Sequence, residues 1–93
     1  MEQMLRIECE DSTPSRTTLR LAGTLGARDL EVLRGSVAPL LGRGREVEMD
    51  LTALRFLDEP GARCLCALRE RGVSLSRAVG YVAELLRVVE NER

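Results

Sequence analysis

The hydrophobic residues of this chain repeat with two periods: segments with a period of two alternate with segments that have the 3.6-residue period of a helix. The strand period is clearest where Leu19 and Leu21 share one face, and the helical period is clearest from Val82 to Val89. The pattern predicts strands at Met4–Cys9, Thr17–Ala22, Val47–Leu51 and Val73–Arg77. It predicts helices at Asp29–Leu41, Gly61–Arg71 and Gly80–Glu90. The expected order is therefore β-β-α-β-α-β-α.

Strands that alternate with helices require right-handed crossovers, so the expected fold class is α/β with a mostly parallel four-stranded sheet and helices packed against it. Only the turn cluster Asp11–Ser15 separates the first two strands, which predicts an antiparallel hairpin. Gly23 and Gly26 are expected to bracket the next turn. Pro39 is expected to kink the last turn of the first helix or to end that helix early. No linker or repeat interrupts residues 1–93, which indicates a single domain.

Composition excludes several classes of function. A chain of 93 residues can bury one core, but not a core and a deep substrate cavity as well. Its net charge of −1 lacks the basic excess that nucleic-acid binders and membrane-surface binders need. The absence of histidine excludes Ser-His-Asp and Cys-His nucleophile systems and histidine-based zinc sites. We therefore expect no enzyme activity, no cofactor and no metal.

The same composition bears on location. No stretch approaches the roughly 20 apolar residues that cross a bilayer. The first residues lack the basic region and the apolar run of a signal peptide. The three cysteines are an odd number, which fits a reducing compartment. These features predict a cytoplasmic protein.

Two groups of reactive side chains are explained more simply by structural roles than by metal binding or catalysis. Cys64 and Cys66 form a Cys-x-Cys pair on a predicted helix, where positions i and i+2 lie about 200° apart and cannot converge on one metal. Buried thiols that pack as small apolar residues are the simpler interpretation. Asp50, Asp58 and Glu59 offer carboxylates for acid–base catalysis, but an acidic residue before a helix usually serves as a cap.

The segment Asp50–Gly61 joins a buried strand to the start of a helix and is the most informative part of the chain. Pro60 suits the first helical position, which makes Glu59 the predicted N-cap. Asp58 and Glu59 then place two negative charges at the positive end of the helix dipole. Glutamate caps poorly compared with Ser, Thr, Asp or Asn, so its presence suggests a function other than stability.

The same segment resembles the signature of STAS domains, the family named for sulfate transporters and anti-sigma-factor antagonists. That signature reads D-L-[ST]-x-[LV]-x-[FY]-[IL]-D-S-[ST]-G, and this chain has D-L-T-A-L-R-F-L-D-E-P-G at Asp50–Gly61. Upstream, Leu19–Gly26 resembles the family pattern L-x-L-x-G-[ED]-[LI]-D. The resemblance runs from about Met4 to Val89. It implies a STAS fold and a non-catalytic regulatory module, similar to an anti-sigma-factor antagonist, that binds other proteins.

Two departures from the family pattern bear on regulation. STAS domains of the antagonist type are phosphorylated on the hydroxyl residue after the motif aspartate, and Glu59 occupies that position here. Pro60 follows it, so the motif offers no hydroxyl to a kinase. A permanent charge at Glu59 is expected either to hold the protein in something like the phosphorylated state or simply to abolish switching. Thr24 and Gly26 replace the family's acidic residues after the second strand, which weakens any expectation of nucleotide or phosphate handling.

The resemblance also implies where a protein partner docks: on the motif loop, on the start of the following helix, and on the adjacent loop after the second strand. The implied partner-binding residues are Thr24, Leu25, Gly26, Ala27, Arg28, Leu57, Asp58, Glu59, Pro60, Gly61 and Arg63. One candidate partner is an anti-sigma kinase-like protein. The alternative is a transport ATPase subunit, with this chain as the cytosolic accessory subunit of a membrane lipid transporter. A third alternative is an enzyme or small-ligand binder that uses the acidic loop, and a homodimer stays open.

Overall fold

Strands and helices alternate in the computed structural model, which describes residues 4–92. The strands are β1 (Arg6–Thr13), β2 (Arg16–Leu25), β3 (Glu46–Leu57) and β4 (Ser74–Ser76). The helices are α1 (Leu30–Gly42), α2 (Glu59–Glu70) and α3 (Gly80–Asn91), and a short 3-10 turn at Ala27–Asp29 precedes α1. The predicted order β-β-α-β-α-β-α is confirmed. Residues 1–3 and 93, which the predicted single domain includes, lie outside the described residues.

The strands form one four-stranded sheet in the order β1-β2-β3-β4. β1 and β2 form the predicted antiparallel hairpin. The β2–β3 and β3–β4 pairs are parallel, so the sheet is mostly parallel, as expected. Each parallel connection moves to the next strand in the same direction, and right-handed crossovers therefore place α1 and α2 on one face of the sheet.

The core lies between that face and the helices, and aliphatic side chains fill most of it. Along β2, Thr17, Leu19 and Leu21 are buried. Arg20 points to the opposite, open face, where its guanidinium pairs with Glu8 of β1 at 3.3 Å. A sheet with one packed face and one solvated face produces the apolar–polar alternation from which the strand was predicted.

β3 is much longer than the predicted strand Val47–Leu51 and continues to Leu57. Its second half pairs in parallel with the end of β2, where Gly23 is opposite Leu54 and Leu25 is opposite Leu57. Register shifts in this ladder break the strict alternation of apolar and polar residues. The strand predicted from the sequence pattern therefore ended too early.

Both predicted turns around β2 are shorter than the sequence suggested. β1 continues to Thr13, so the first turn consists of Pro14 and Ser15. Gly23 lies inside β2 and does not open the second turn. Its φ is 90°, and a Cβ atom there would lie 2.4 Å from the carbonyl oxygen of Met4. Glycine is needed at this position because of both the positive φ and the close approach of the chain that leads into β1.

Pro39 does not end α1, which continues to Gly42. Pro39 and Gly35, one turn earlier, are both exposed. Proline removes the hydrogen bond to the carbonyl oxygen of Gly35, but on this side of the helix water can hydrate that oxygen. The cost that the sequence predicted is therefore reduced by the orientation of the helix.

Arg45, immediately before β3, links this strand to the hairpin turn. Its guanidinium donates to Thr17 Oγ1 at 2.7 Å and to the carbonyl oxygens of Pro14 at 2.8 Å and Arg16 at 3.1 Å. Thr17 is fully buried, and its hydroxyl donates to Asp11 Oδ1 at 3.0 Å. One side chain thus satisfies several oxygens at the amino-terminal end of the parallel β2–β3 pair.

Replacing Arg45 with methionine is expected to lower the free energy of unfolding by about 2 kcal/mol, because the buried Thr17 oxygen and nearby carbonyl groups lose their donor. Urea unfolding followed by far-UV circular dichroism measures this change. Arg43→Met is the matched control, since Arg43 is exposed two residues earlier. Equal small losses in the two variants would contradict the role of Arg45.

Candidate functional site

α2 begins directly after β3, and Asp58 is its N-cap. The backbone of Asp58 is extended (φ −96°, ψ 177°), and its Oδ1 accepts a hydrogen bond from the N–H of Gly61 at 2.8 Å. The prediction that Glu59 caps the helix is wrong, because the short side chain of Asp58 already reaches this N–H. Pro60 falls in the first turn, where its missing N–H leaves nothing unpaired. The predicted loop Leu57–Gly61 is therefore a strand end, one capping residue and a helical turn.

The other carboxylate oxygen of Asp58 reaches the segment that follows β2. Oδ2 accepts a hydrogen bond from the N–H of Ala27 at 3.1 Å, while Oδ1 accepts the one from Gly61. Beside this contact, Asp29 Oδ2 accepts a hydrogen bond from the N–H of Gly26 at 2.9 Å. The carboxylate of Asp58 therefore joins the two segments in which the partner-binding residues were predicted.

Gly61 allows the first turn of α2 to approach the end of β2 closely. A Cβ atom at Gly61 would lie 2.7 Å from the carbonyl oxygen of Leu25 and 3.0 Å from Leu57 Cδ1. The first of these neighbours is backbone and cannot rotate away. The glycine of the sequence signature is thus required here by close packing of a helix on a strand.

Glu59 carries an exposed carboxylate that is already paired within the chain. Arg63, one turn later, donates to Glu59 Oε2 from Nη2 at 2.7 Å and from Nε at 3.1 Å. The same Nη2 donates to Glu92 Oε1 at 2.9 Å and so links the start of α2 to the end of α3. Hydrogen bonding to Glu59 and its charge, together with Glu92, raise the pKa of Arg63. The negative charge at the phosphoacceptor-equivalent position is therefore balanced by a neighbouring cation.

Some of the predicted partner-binding residues do not reach the surface. Leu25, Leu57 and Gly61 are buried and support the surface from beneath. The others are partly or fully exposed, and we call them the docking surface: Thr24, Gly26, Ala27, Arg28, Asp58, Glu59, Pro60 and Arg63. The sequence did not point to Glu92, because its contact with Arg63 spans 29 positions and no local pattern marks such a contact.

Asp50 does not belong to the same site as Asp58. Its Oδ1 accepts hydrogen bonds from the hydroxyl of Thr52 at 2.7 Å and from the N–H of Thr52 at 2.9 Å. These bonds, the hydroxyl first, lower the pKa of Asp50 against the opposing effect of burial. With a rise of about 3.3 Å per residue over eight residues, β3 separates the two aspartates by roughly 26 Å. They cannot act on one substrate as an acid–base pair.

The cysteines do not converge on one site either. Cys64 and Cys66 are both buried, and the Cys66 thiol lies 4.0 Å from the carbonyl oxygen of Leu86 on α3. Burial raises the pKa of the Cys64 thiol, and Cys9 is exposed on β1. Within residues 4–92, no group of three or more His, Cys, Asp or Glu side chains could hold a metal ion. Over the same residues, no helix is both long enough and apolar enough to span a membrane.

Phe56 and Tyr81 form an exposed aromatic pair that sequence reasoning did not assign to any site. Their ring centroids lie 6.1 Å apart and the ring planes differ by 15°, which is a stacked arrangement. Phe56 alternates with the buried Leu57 on β3, and its partner in the β2–β3 register is Thr24. The family signature contains the position of Phe56, but no local pattern relates it to Tyr81, which lies in the first turn of α3.

Several solved structures share this fold at low sequence identity. An anti-sigma factor antagonist from Mycobacterium paratuberculosis has a TM-score of 0.81 and 15% identity, with 96% of this chain and 80% of that chain covered. The anti-sigma factor antagonist SpoIIAA in its unphosphorylated form has a TM-score of 0.74 and 19% identity, with 91% and 81% covered. An antisigma-factor antagonist STAS domain from Rhodobacter sphaeroides has a TM-score of 0.60 and 16% identity, with 77% and 83% covered. At these identities the similarity establishes the fold alone.

Most of the chain matches the sequence model of one protein family. No curated protein matches this chain by sequence. The family model described as "Mlab, STAS domain" matches residues 9–92, a range that includes β2 to β4 and all three helices. The match agrees with the signature at Asp50–Gly61 and with the observed sheet topology. The chain therefore belongs to the STAS-domain family.

Proposed function

We propose that this STAS domain is a non-catalytic regulatory module that binds a protein through the docking surface. The observation that carries the proposal is the carboxylate of Asp58, which accepts hydrogen bonds from Ala27 and Gly61 and fixes the two halves of the surface relative to each other. A surface held in one arrangement loses little conformational entropy when a partner binds. The structural neighbours named as anti-sigma factor antagonists support the same class of function.

The first candidate partner is an anti-sigma kinase-like protein in the cytoplasm. Charges of both signs lie side by side on the docking surface, which suits specificity and steering more than raw affinity. A reducing compartment agrees with the free thiols of Cys9, Cys64 and Cys66. Regulation of transcription in a bacterium is the process in which such a partner acts.

Reversible phosphorylation at the motif is not part of the proposed function. Glu59 carries one charge where phosphoserine carries about 1.5 to 2. Arg63 already pairs with that charge at 2.7 Å. The docking surface therefore keeps one charge state, and the domain acts as an antagonist of fixed strength.

The second candidate is an accessory role on the cytosolic side of a membrane lipid-transport ATPase. The observation that favours it is the same replacement at Glu59 and Pro60. The family resemblance implies that STAS subunits of such transporters also lack a standard phosphorylation motif. The partner would then be an ATPase subunit.

Charge reversal at Glu59 tests the docking surface. Glu59→Lys is expected to weaken partner binding about tenfold, because it breaks the pair with Arg63 and reverses the local charge. Titration calorimetry with two purified proteins of the host organism, an anti-sigma kinase and a lipid-transport ATPase subunit, measures the dissociation constant. The protein that binds also decides between the two candidates.

Glu46→Lys is the matched control for this experiment. Glu46 is an exposed glutamate paired with Arg16 at 3.4 Å, at the opposite end of β3 from the docking surface. Its reversal is expected to change the dissociation constant less than about twofold. Equal effects of the two reversals would rule out the docking surface as the binding site. Failure of the unaltered chain to bind either protein would contradict the proposed function.

A further inference from the structure

The only two aromatic residues of the chain lie on its surface. Burying an aromatic side chain removes about 150–250 Å² from water, which a small domain can seldom forgo. Yet Phe56 is 48% exposed and Tyr81 is 56% exposed, and their rings stack on each other. Val79, the N-cap of α3 two residues before Tyr81, is 63% exposed. We call Phe56, Val79 and Tyr81 the aromatic patch.

The aromatic patch adjoins the docking surface. Phe56 is paired in register with Thr24, a member of the docking surface on the neighbouring strand. Adjacent strands lie about 4.8 Å apart, so the two residues are side by side on the sheet. Phe56 also precedes Asp58 by two residues at the end of β3. A partner on the docking surface would therefore reach the patch without a gap.

The charged groups of the docking surface are engaged within the chain. Both oxygens of Asp58 accept backbone hydrogen bonds, from Gly61 and Ala27. Glu59 is held by Arg63. A partner that competes for these groups gains little, because an exposed ion pair contributes little to binding and each internal bond must first be broken. A partner that contacts the exposed faces of Phe56 and Tyr81 does not have to break an internal hydrogen bond or ion pair.

Charge defines the chemistry of the partner further. Four carboxylates and two guanidinium groups lie on or next to the docking surface: Asp29, Asp58, Glu59 and Glu92, and Arg28 and Arg63. The excess of negative charge attracts a basic surface and repels an acidic one.

We propose that the aromatic patch is the anchor of the interface, an inference that rests on the proposed function. The partner is a protein that places an aliphatic side chain against the Phe56–Tyr81 stack and a basic residue next to Asp58 and Glu59. Aromatic residues near the centre of an interface carry most of its binding energy, whereas charges at its rim mainly set the association rate. The patch holds the partner, and the docking surface steers and orients it.

Alanine variants of the patch test this division of roles. Phe56→Ala and Tyr81→Ala are each expected to weaken binding about 30-fold, mostly through faster dissociation. Glu59→Lys is expected to act mostly on the association rate. Surface plasmon resonance gives both rates, with the purified host anti-sigma kinase or ATPase subunit that binds the unaltered chain as the probe. Phe56→Tyr keeps an aromatic ring and is expected to retain affinity within about threefold.

Val32→Ala serves as a control, since Val32 is an exposed apolar residue on α1, outside the aromatic patch. This variant is expected to bind like the unaltered chain, and circular dichroism checks that every variant is folded. If Glu59→Lys weakens binding while both alanine variants of the patch bind normally, the anchor is overturned and the proposed function stands. If neither protein binds the unaltered chain, the proposed function is contradicted, and the inference that rests on it is overturned as well. If Phe56→Ala abolishes only self-association, measured by sedimentation, the patch is a contact between two copies and the inference is overturned.

Discussion

Gly61→Ala is expected to lower the free energy of unfolding by about 3 kcal/mol, although alanine is the better helix former. The added methyl group would lie 2.7 Å from the carbonyl oxygen of Leu25. Because that oxygen is part of the β2 backbone, the first turn of α2 has to move away from the sheet. The movement also lengthens the hydrogen bond that Gly61 donates to Asp58. Urea unfolding followed by far-UV circular dichroism measures the loss.

Gly35→Ala is the matched control, because Gly35 lies in the middle of α1 and a Cβ atom there would have no neighbour within 4 Å. The same substitution at this exposed helical position is expected to stabilise the protein by about 0.5–1 kcal/mol. The two glycines should therefore give changes of opposite sign. A neutral or stabilising effect of Gly61→Ala would contradict this close approach of α2 to β2.

Asp58→Ala is expected to lower the free energy of unfolding by about 2.5 kcal/mol and to weaken partner binding more than tenfold. The stability loss combines the N-cap of α2, typically about 1 kcal/mol, with a second hydrogen bond to a charged acceptor, typically about 1.5 kcal/mol. The binding loss follows because Ala27 and the first turn of α2 are no longer held together. Urea unfolding and titration calorimetry measure the two effects.

Asp58→Ser separates the two roles of the aspartate. Serine is a good N-cap and can accept the bond from Gly61, but its side chain is one atom shorter than that of aspartate and leaves Ala27 without an acceptor. Amide hydrogen exchange should therefore accelerate at both N–H groups in Asp58→Ala and only at Ala27 in Asp58→Ser. Unchanged protection of Ala27 in both variants would contradict the bridging role.

Much of the fold could be predicted because periodicity reports burial directly. The helical spacing from Val82 to Val89 and the alternation at Leu19 and Leu21 place the correct faces in the core. The same logic failed at the second half of β3, where register shifts against β2 move apolar residues out of phase. It also failed at Gly23, where a glycine that suggests a turn instead accommodates a close approach of backbone within a strand.

The candidate site could be predicted in outline only, because its geometry depends on contacts between distant segments. The family signature pointed to Asp58 and Glu59, but it did not show that Asp58 caps α2 and also binds Ala27. Helix geometry alone predicts the contact of Glu59 with Arg63, four residues later. Nothing local predicts that Glu92 completes that cluster.

The stacked pair of Phe56 and Tyr81 also determines what the fluorescence and near-ultraviolet spectra of this protein measure. Because the chain has one tyrosine and no tryptophan, its intrinsic fluorescence comes from a ring on the surface and none comes from the core. Tyrosine emission and the near-ultraviolet bands should therefore follow events at the aromatic patch, including its coverage by another protein. They should be poor indicators of whether the aliphatic interior has melted. Tyr81 is thus an intrinsic spectroscopic probe of the surface that we propose for recognition.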